Sequence, residues 1–347
     1  MLKQHGWKDG VLRYPTERDL LDNWKDILYR NNNDIDRLGK YPLTDGEMTQ
    51  IIEQIETLRT PLALNSFVNG RTVSITRDNK EDVAHFGKEV SLYIYDRKEI
   101  AGGKSTYQIA QQPVYPAKNK MLNSRRGDLV LLINGMPLIH IELKKSGIPV
   151  SQATNQIEKY AHEGVFTGLF RLVQIFVAMN PDDGVYFANP GVDKFNPSYY
   201  FHWADYNNEP ICGGQNPGKD EWKLFIGGTS GTAGLLSIPM AHQLIGFYTI
   251  ADSADGCLKV LRSYQYIAAN AISDVVRKCD WEQRPATPGR PGGYVWHTTG
   301  SGKTMTSFKS AQLIADSHDA DKVVFLMDRI ELGTQSLKEY RLSLIHI

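Results

Sequence analysis

Residues 128–145 read DLVLLINGMPLIHIELKK. Two apolar runs flank Asn134-Gly135, the dipeptide that most readily takes the positive φ values of a tight hairpin turn. In the second run Glu142 and Lys144 are two apart, so they share one face while Ile141 and Leu143 point to the core. Asp128 joins that face if residues 134–136 form the loop or if a bulge does the same job. A strict two-residue loop with regular pairing puts it on the other face. Two carboxylates with no soft ligand suit Mg²⁺, and a lysine beside the metal can position or activate an attacking water. The plain alternative is an exposed Asp followed by a Glu–Lys surface pair. Against it, IHIELKK is strongly apolar, and charge buried in such a strand is costly unless it has a use. His140 alternates onto the same face as Glu142 and reads as a packing residue or a neighbour of the ligand rather than a ligand.

Upstream, residues 11–60 carry two helical patterns. RYPTERDLLDNWKDIL has Thr16 as cap, and PLTDGEMTQIIEQIETL has Thr44 or Asp45. SFVNGRTVSITR reads as a hairpin turning at Asn69-Gly70, and SLYIY and TYQIAQQPVY as further strands. The basic run Lys118, Lys120, Arg125 and Arg126 precedes Asp128 and fits either a DNA phosphate backbone or a solvated loop. Downstream, SQATNQIEKYAHEG is a helix that places Gln156 and Tyr160 at i,i+4. RLVQIFVAMN and GVYFAN are strand-like. Residues 189–233 read as irregular structure around one strand near 199–203. The boundary falls near 240, giving regions 1–240 and 241–347.

The second region begins with helical HQLIGFYTIAD and LRSYQYIAANAISDVVRKC. After a Pro/Gly-rich interruption it continues as a strand YVWH, a loop TTGSG, a helix KTMTSFKSAQLIAD and a buried strand KVVFLMD. That order is a βαβ unit, the start of a parallel α/β sheet. HTTGSGKT sits between strand and helix. Thr299, Gly300, Ser301 and Gly302 can turn backbone N–H groups around phosphates at the helix N-terminus. Lys303 reaches the β/γ-phosphates and the Thr304 hydroxyl can ligate Mg²⁺. The strict pattern has Gly where His297 stands. Arg262 and Gln265 lie upstream at the head of a helix, where the Gln amide can read an adenine edge and so select ATP.

The 347 residues carry 39 Lys+Arg against 39 Asp+Glu, with 41% hydrophobic and 22% charged residues, which excludes a disordered or fibrous chain. No apolar run is long enough to span a membrane, and the start lacks a signal-peptide core. Three scattered cysteines, Cys212, Cys257 and Cys279, exclude a disulfide framework and a Cys-rich zinc site. A cytoplasmic enzyme is expected.

HTTGSGKT, the upstream Arg-x-x-Gln and the downstream FLMDR resemble the first, RecA-like motor domain of superfamily 2 helicases, in which Asp328 and Arg329 would occupy a motif that touches nucleic acid. Gly127-Asp128, Glu-x-Lys and Gln156/Tyr160 resemble the PD-(D/E)xK nuclease domain, with Gly in place of the family Pro. The chain as a whole resembles the N-terminal part of the R (restriction and translocation) subunit of type I restriction endonucleases.

The resemblance implies an α/β fold: a nuclease-like mixed sheet flanked by helices, then an incomplete RecA-like parallel domain. It puts Asp128 and Glu142 on Mg²⁺, Lys144 on the water, Gln156 and Tyr160 in support, and Lys303 and Thr304 on ATP. It also implies double-stranded DNA as substrate, methyltransferase (M) and specificity (S) subunits as partners, and cleavage of unmodified DNA driven by translocation. Met1 is expected to be an internal start, and LSLIHI at the end a break in the reading frame. With the Asp-Glu pair and second motor domain lacking, the chain is expected to bind ATP without turning it over. Two other readings compete: another defence helicase–nuclease subunit, and a non-catalytic DNA-binding or assembly module.

Overall fold

A computed structural model describes residues 1–7, 10–100, 102–116, 124–213, 221–252, 256–278 and 292–326. In chain order the strands and helices are β1 (Val11–Arg13), α1 (Glu17–Asn31), α2 (Asp45–Thr57), α3 (Pro61–Asn69), β2 (Thr72–Thr76), β3 (Glu89–Tyr93), β4 (Tyr107–Gln111), β5 (Val114–Tyr115), β6 (Arg125–Arg126), β7 (Leu129–Ile133), β8 (Met136–Leu143), α4 (Ser151–His162), β9 (Ile175–Met179), β10 (Gly184–Ala188), α5 (Trp222–Gly227), α6 (Ile238–Gly246), β11 (Thr249–Asp252), β12 (Cys257–Val260), α7 (Ser263–Lys278) and α8 (Lys303–Ser317).

The central sheet is mixed, with order β1-β4-β7-β8-β9-β10. β1 runs parallel to β4 and β8 to β9, and the other neighbours are antiparallel. Helices flank it. β7 and β8 are its middle, and the parallel pair β8 and β9 reads as near-continuous apolar runs because both of their faces are covered.

The helices begin where the sequence places caps. Thr16 and Thr44 each accept a hydrogen bond from the backbone N–H three residues on, and Asp19 and Glu47 return the bond. Leu20, Trp24, Ile27 and Leu28 of α1 and Met48, Ile51 and Ile55 of α2 form their buried stripes. α2 is anchored to the end of β2 by Arg77, fully buried and paired to Glu47 at 2.6 Å and to Asp82 at 3.0 Å.

Four expectations are corrected. Residues 66–70 are not a hairpin turn: Thr60 caps α3 with Pro61 in its first turn, and Asn69-Gly70 ends that helix. The hairpin lies one element later, between β2 and β3. The helical reading of HQLIGFYTIAD stops at Gly246; Thr249–Asp252 pairs with Cys257–Val260 instead, because β-branched Thr249 and Ile250 meet the alternating CLKV run. Around 199–203 the backbone makes only an isolated bridge, Tyr186↔Phe201.

The fourth correction concerns the two strands expected on either side of α8. Among the described residues, 294–297 and 322–326 form no strand. Tyr294, Trp296, Val324 and Leu326 are exposed there, and a parallel strand needs neighbours on its edges that these segments do not meet. The helix between them is formed, as α8. No helix of the described residues is long and apolar enough to cross a membrane.

One core cluster runs from Trp7 through the central sheet to Leu258 and Val260 of β12 and Phe308 of α8. A smaller one lies under α4, built on Ala153, Ile157, Phe176 and Phe187.

Candidate active site

The turn between β7 and β8 holds two residues with φ of 51° and 82°, Asn134 and Gly135. Asn134 is buried; its side chain accepts from Thr106 N and donates to Ile94 O, fixing the turn to the neighbouring strand ends. Regular pairing from such a turn would put Asp128 across from Ile141. It does not, because the register shifts between Leu131 and Leu132: Leu132 pairs with Pro137, Leu131 with Ile139 and Leu129 with Ile141. The bulge leaves Leu138 as the extra residue. Continued by one step, this pairing sets Asp128 opposite Glu142, and Asp128 Oδ2 accepts from Leu143 N at 2.7 Å.

Glu142 is buried, with Lys144 Nζ 3.4 Å from its Oε1. The same amine donates to Gln156 Oε1. Gln156 Nε2 donates to Tyr160 OH at 2.6 Å, and Tyr160 OH donates to Arg126 O at 3.0 Å. One chain of hydrogen bonds thus runs from the central strand through α4 to β6, next to Asp128. Burial, with the charge of Glu142 second, pushes the Asp128 carboxyl above the usual range. Burial and Glu142 also raise the Tyr160 hydroxyl.

Glu142 Oε2 is buried with no hydrogen-bond partner among the described residues. Two facing carboxyls, one raised in part by the charge of the other, are a donor set whose repulsion a divalent cation would relieve. Among the described residues no three His, Cys, Asp or Glu side chains gather to hold a metal. Two carboxylates suit a hard cation that keeps water and takes further oxygens from its substrate.

The two arginines ahead of Asp128 differ. Arg125 grips Glu163 through Nε and Nη2, both at 2.8 Å, so its guanidinium is committed within the protein. Arg126 is exposed and lies 5.9 Å over the Tyr14 ring.

The second constellation forms at α7 and the loop before α8. Gln265 is buried; its Oε1 accepts from Arg262 N, and its Nε2 donates to Ser301 O and Gly302 O at 3.2 Å each. Tyr264 OH donates to Ser301 O at 2.9 Å, and Arg262 donates to Tyr264 OH while stacking on Phe201. Both ends of the Gln265 amide are thus engaged with backbone. Gly300 and Gly302 have φ of 77° and 78°, and a Cβ on Gly302 would stand 2.3 Å from Gln265 Nε2. Arg262, Gln265 and Gly300 to Gly302 line one cavity of about 180 Å³, together with Phe187, Tyr200 and Phe201. Lys303 and Thr304 open α8, Lys303 Nζ lying 3.4 Å from Thr298 O. Thr299 is exposed. Asp328 and Arg329 lie outside the described residues, as do Lys118 and Lys120.

The sequence reading did not single out Tyr115, Glu163 or Tyr264. Tyr264 had a signal, its place next to Gln265. Tyr115 and Glu163 had none, since only the fold brings them to the site.

The first 195 residues match the family described as Type I restriction enzyme R protein N terminus (HSDR_N). The chain belongs to this family. Residues 264–345 match a second family, SWI2/SNF2 ATPase, so the R-protein N-terminal region is followed by a segment similar to an ATPase that contains the Gln265–Ser301 constellation.

Among curated proteins, the chain is 31% identical over 347 residues to the SsaAORF53P type I restriction enzyme endonuclease subunit of Staphylococcus saprophyticus, covering 98% of this chain and 32% of that one. It is 32% identical over 341 residues to the SauMSSORF170P subunit of Staphylococcus aureus, with 98% and 32% covered. To the EcoprrI endonuclease subunit of Escherichia coli it is 29% identical over 217 residues, 61% of this chain and 62% of that one. The chain spans about a third of the length of the staphylococcal relatives.

Proposed function

We propose that this R-family chain carries a Mg²⁺-dependent DNA nuclease site in residues 1–240, of PD-(D/E)xK type, joined to the ATP-binding part of a RecA-like motor in 241–347. The observation that carries the reading is the meeting of Asp128 and Glu142 across the bulged β7–β8 pair, with the Lys144 amine between Glu142 and Gln156. Asp128 and Glu142 would hold the Mg²⁺. When bound it supplies charge stabilisation at the scissile phosphate.

Lys144 positions or activates the attacking water, and Gln156 fixes the direction of its amine. Tyr160 fixes Gln156 in turn and ties it to the backbone of Arg126, whose exposed side chain is free to lie along a DNA strand. Such a chain of supports is what holds catalytic groups to productive geometry. In the second region Lys303 and Thr304 meet the phosphates of ATP and its Mg²⁺, with Gln265 and Arg262 bracing the loop. The substrate is double-stranded DNA. The M and S subunits of a type I complex, which read sequence and methylation, are the partners, and the complete protein translocates the DNA it cuts.

The test is Mg²⁺ calorimetry together with Mg²⁺-dependent cleavage of plasmid DNA. Asp128→Ala is expected to abolish Mg²⁺ binding. Lys144→Ala is expected to keep binding and to lose cleavage by about 10²–10⁴-fold, the usual contribution of a positioned proton-transfer group. Cleavage unchanged in Lys144→Ala sinks the assignment and leaves the D…ExK pattern as structural.

A further inference from the structure

His140 is fully buried on β8, two residues before Glu142 and on the same face. Its Nδ1 lies 2.7 Å from the Tyr115 hydroxyl. Its Nε2 stands 3.5 Å from Glu142 Oε2, and both atoms are buried without a hydrogen-bond partner among the described residues. An apolar residue would serve packing here as well, since the ring is surrounded by Phe166, Phe176, Tyr115 and Tyr160. A buried imidazole whose one nitrogen is bonded and whose other faces a bare carboxylate oxygen has a polar task. Tyr115 has the means to set it. Burial pushes its phenol well above the ordinary range, so it stays a neutral O–H that donates. A Cβ on Gly127 would stand 2.5 Å from that oxygen, so Tyr115 is wedged against the segment leading to Asp128.

We propose that Tyr115 and His140 form a positioning pair for Glu142: the Tyr115 hydroxyl donates to Nδ1, which leaves the ring proton on Nε2 directed at Glu142 Oε2. Glu142 is then held from two sides, by Lys144 at Oε1 and His140 at Oε2. An outer residue that orients a metal-bound carboxylate in this way is worth about 10–100-fold in metal affinity when removed. His140 touches neither substrate nor reacting atoms, so it is a positioning residue. The inference rests on the two-carboxylate reading of the site.

The experiment is Mg²⁺ calorimetry on the whole chain, with thermal unfolding recorded in parallel. His140→Met fills the ring's space without a donor and is expected to weaken Mg²⁺ binding by about 10–100-fold. His140→Gln, whose amide reaches to the same depth as Nε2, is expected to recover most of that loss. Tyr115→Phe is expected to weaken binding by less, because the ring remains but its tautomer is no longer set. Folded His140→Met that binds Mg²⁺ as the wild type does overturns the proposal. So does His140→Gln as weak as His140→Met. A wild type that binds no Mg²⁺, or binds it equally well as Asp128→Ala, overturns the two-carboxylate reading itself and this inference with it.

Discussion

Asp128 is half-buried, faces Glu142, and is held above the ordinary carboxyl range by burial first and by that charge second. The sign of the consequence is fixed. The folded chain binds the Asp128 proton more tightly than the unfolded one, so this residue's ionisation costs stability as pH rises through its folded pKa, and the cost vanishes below the unfolded value near 3.8. Asp128→Asn keeps an oxygen for Leu143 N and removes the charge. At pH 7 without metal it is expected to be more stable than the wild type by on the order of 0.5–1 kcal/mol, the scale of a partly solvated charge pair. Thermal unfolding measures this. The gain is expected to shrink toward pH 4, and added Mg²⁺ to raise the melting temperature of the wild type alone. A variant less stable than the wild type at neutral pH would show that the Asp128 charge is stabilised where it stands and does not strain against Glu142. The identities Asp128, Glu142 and Lys144 are legible in the chain because charge is rare in so apolar a run. His140 is legible only as a residue on the same face as Glu142, packing or next to the ligand, and Tyr115 is not legible at all, because aromatic rings in strands are usually packing.

At the scale of the element, the β7–β8 hairpin was readable as a hairpin and its turn as Asn-Gly, but its register was not. Sequence patterning leaves two registers open, differing in which face carries Asp128, and the bulge at Leu138 chooses between them. Local propensity does not encode that choice; β8 must also match β9 on its other side, where Ile139 pairs with Ile175 and Glu142 with Ala178. Gly135 has a further constraint. At φ 82° a Cβ would meet the Trp24 backbone at 2.8 Å, so α1 presses directly on the turn. Gly135→Ala is therefore expected to cost about 1–3 kcal/mol, the range for a strained backbone position, seen as a lower urea midpoint with an unchanged slope. A midpoint equal to the wild type would mean that α1 yields at Trp24. The misread hairpin at Asn69-Gly70 teaches the same lesson from the other side: the dipeptide signals positive φ in principle, yet Gly70 has an ordinary helical φ because Thr60 and Pro61 had already started a helix.

Across the whole molecule, α8 joins the second region to the first. It starts at Lys303 and ends against the first region, where Asp316 pairs with Arg97 at 3.1 Å and the Asp316 carbonyl lies 3.5 Å from Lys98 Nζ. Midway, Lys309 is buried, bonded to Gln312 at 2.7 Å, and burial lowers its amine to about 7. Between about 7 and 10.5 the unfolded chain carries a proton there that the folded chain lacks. Stability from this group accordingly rises with pH across that window. Lys309→Met is expected to stabilise the protein at pH 7 by roughly 2–4 kcal/mol, the scale of a buried amine's lost solvation, and by progressively less toward pH 10. A constant difference between variant and wild type over that range would show that the amine titrates normally in the folded chain.

By itself the sequence determined the two capped helices, the apolar hairpin with its misplaced charges, the i,i+4 pair on α4 and the glycine-bounded loop before α8. Each of these is written in contacts only a few residues long. The tertiary structure decided what lies far apart in the chain: the bulge that turns Asp128 to Glu142, the Tyr115 hydroxyl against His140, the Glu163 grip on Arg125, and the Gln265 amide bonded to the loop before α8 rather than left to solvent. Those around Glu142 depend on which strands become neighbours, and that is settled by burying β8 and β9 on both faces at once, a condition on the whole sheet that no single segment carries; the Gln265 contact depends on α7 packing beside α8.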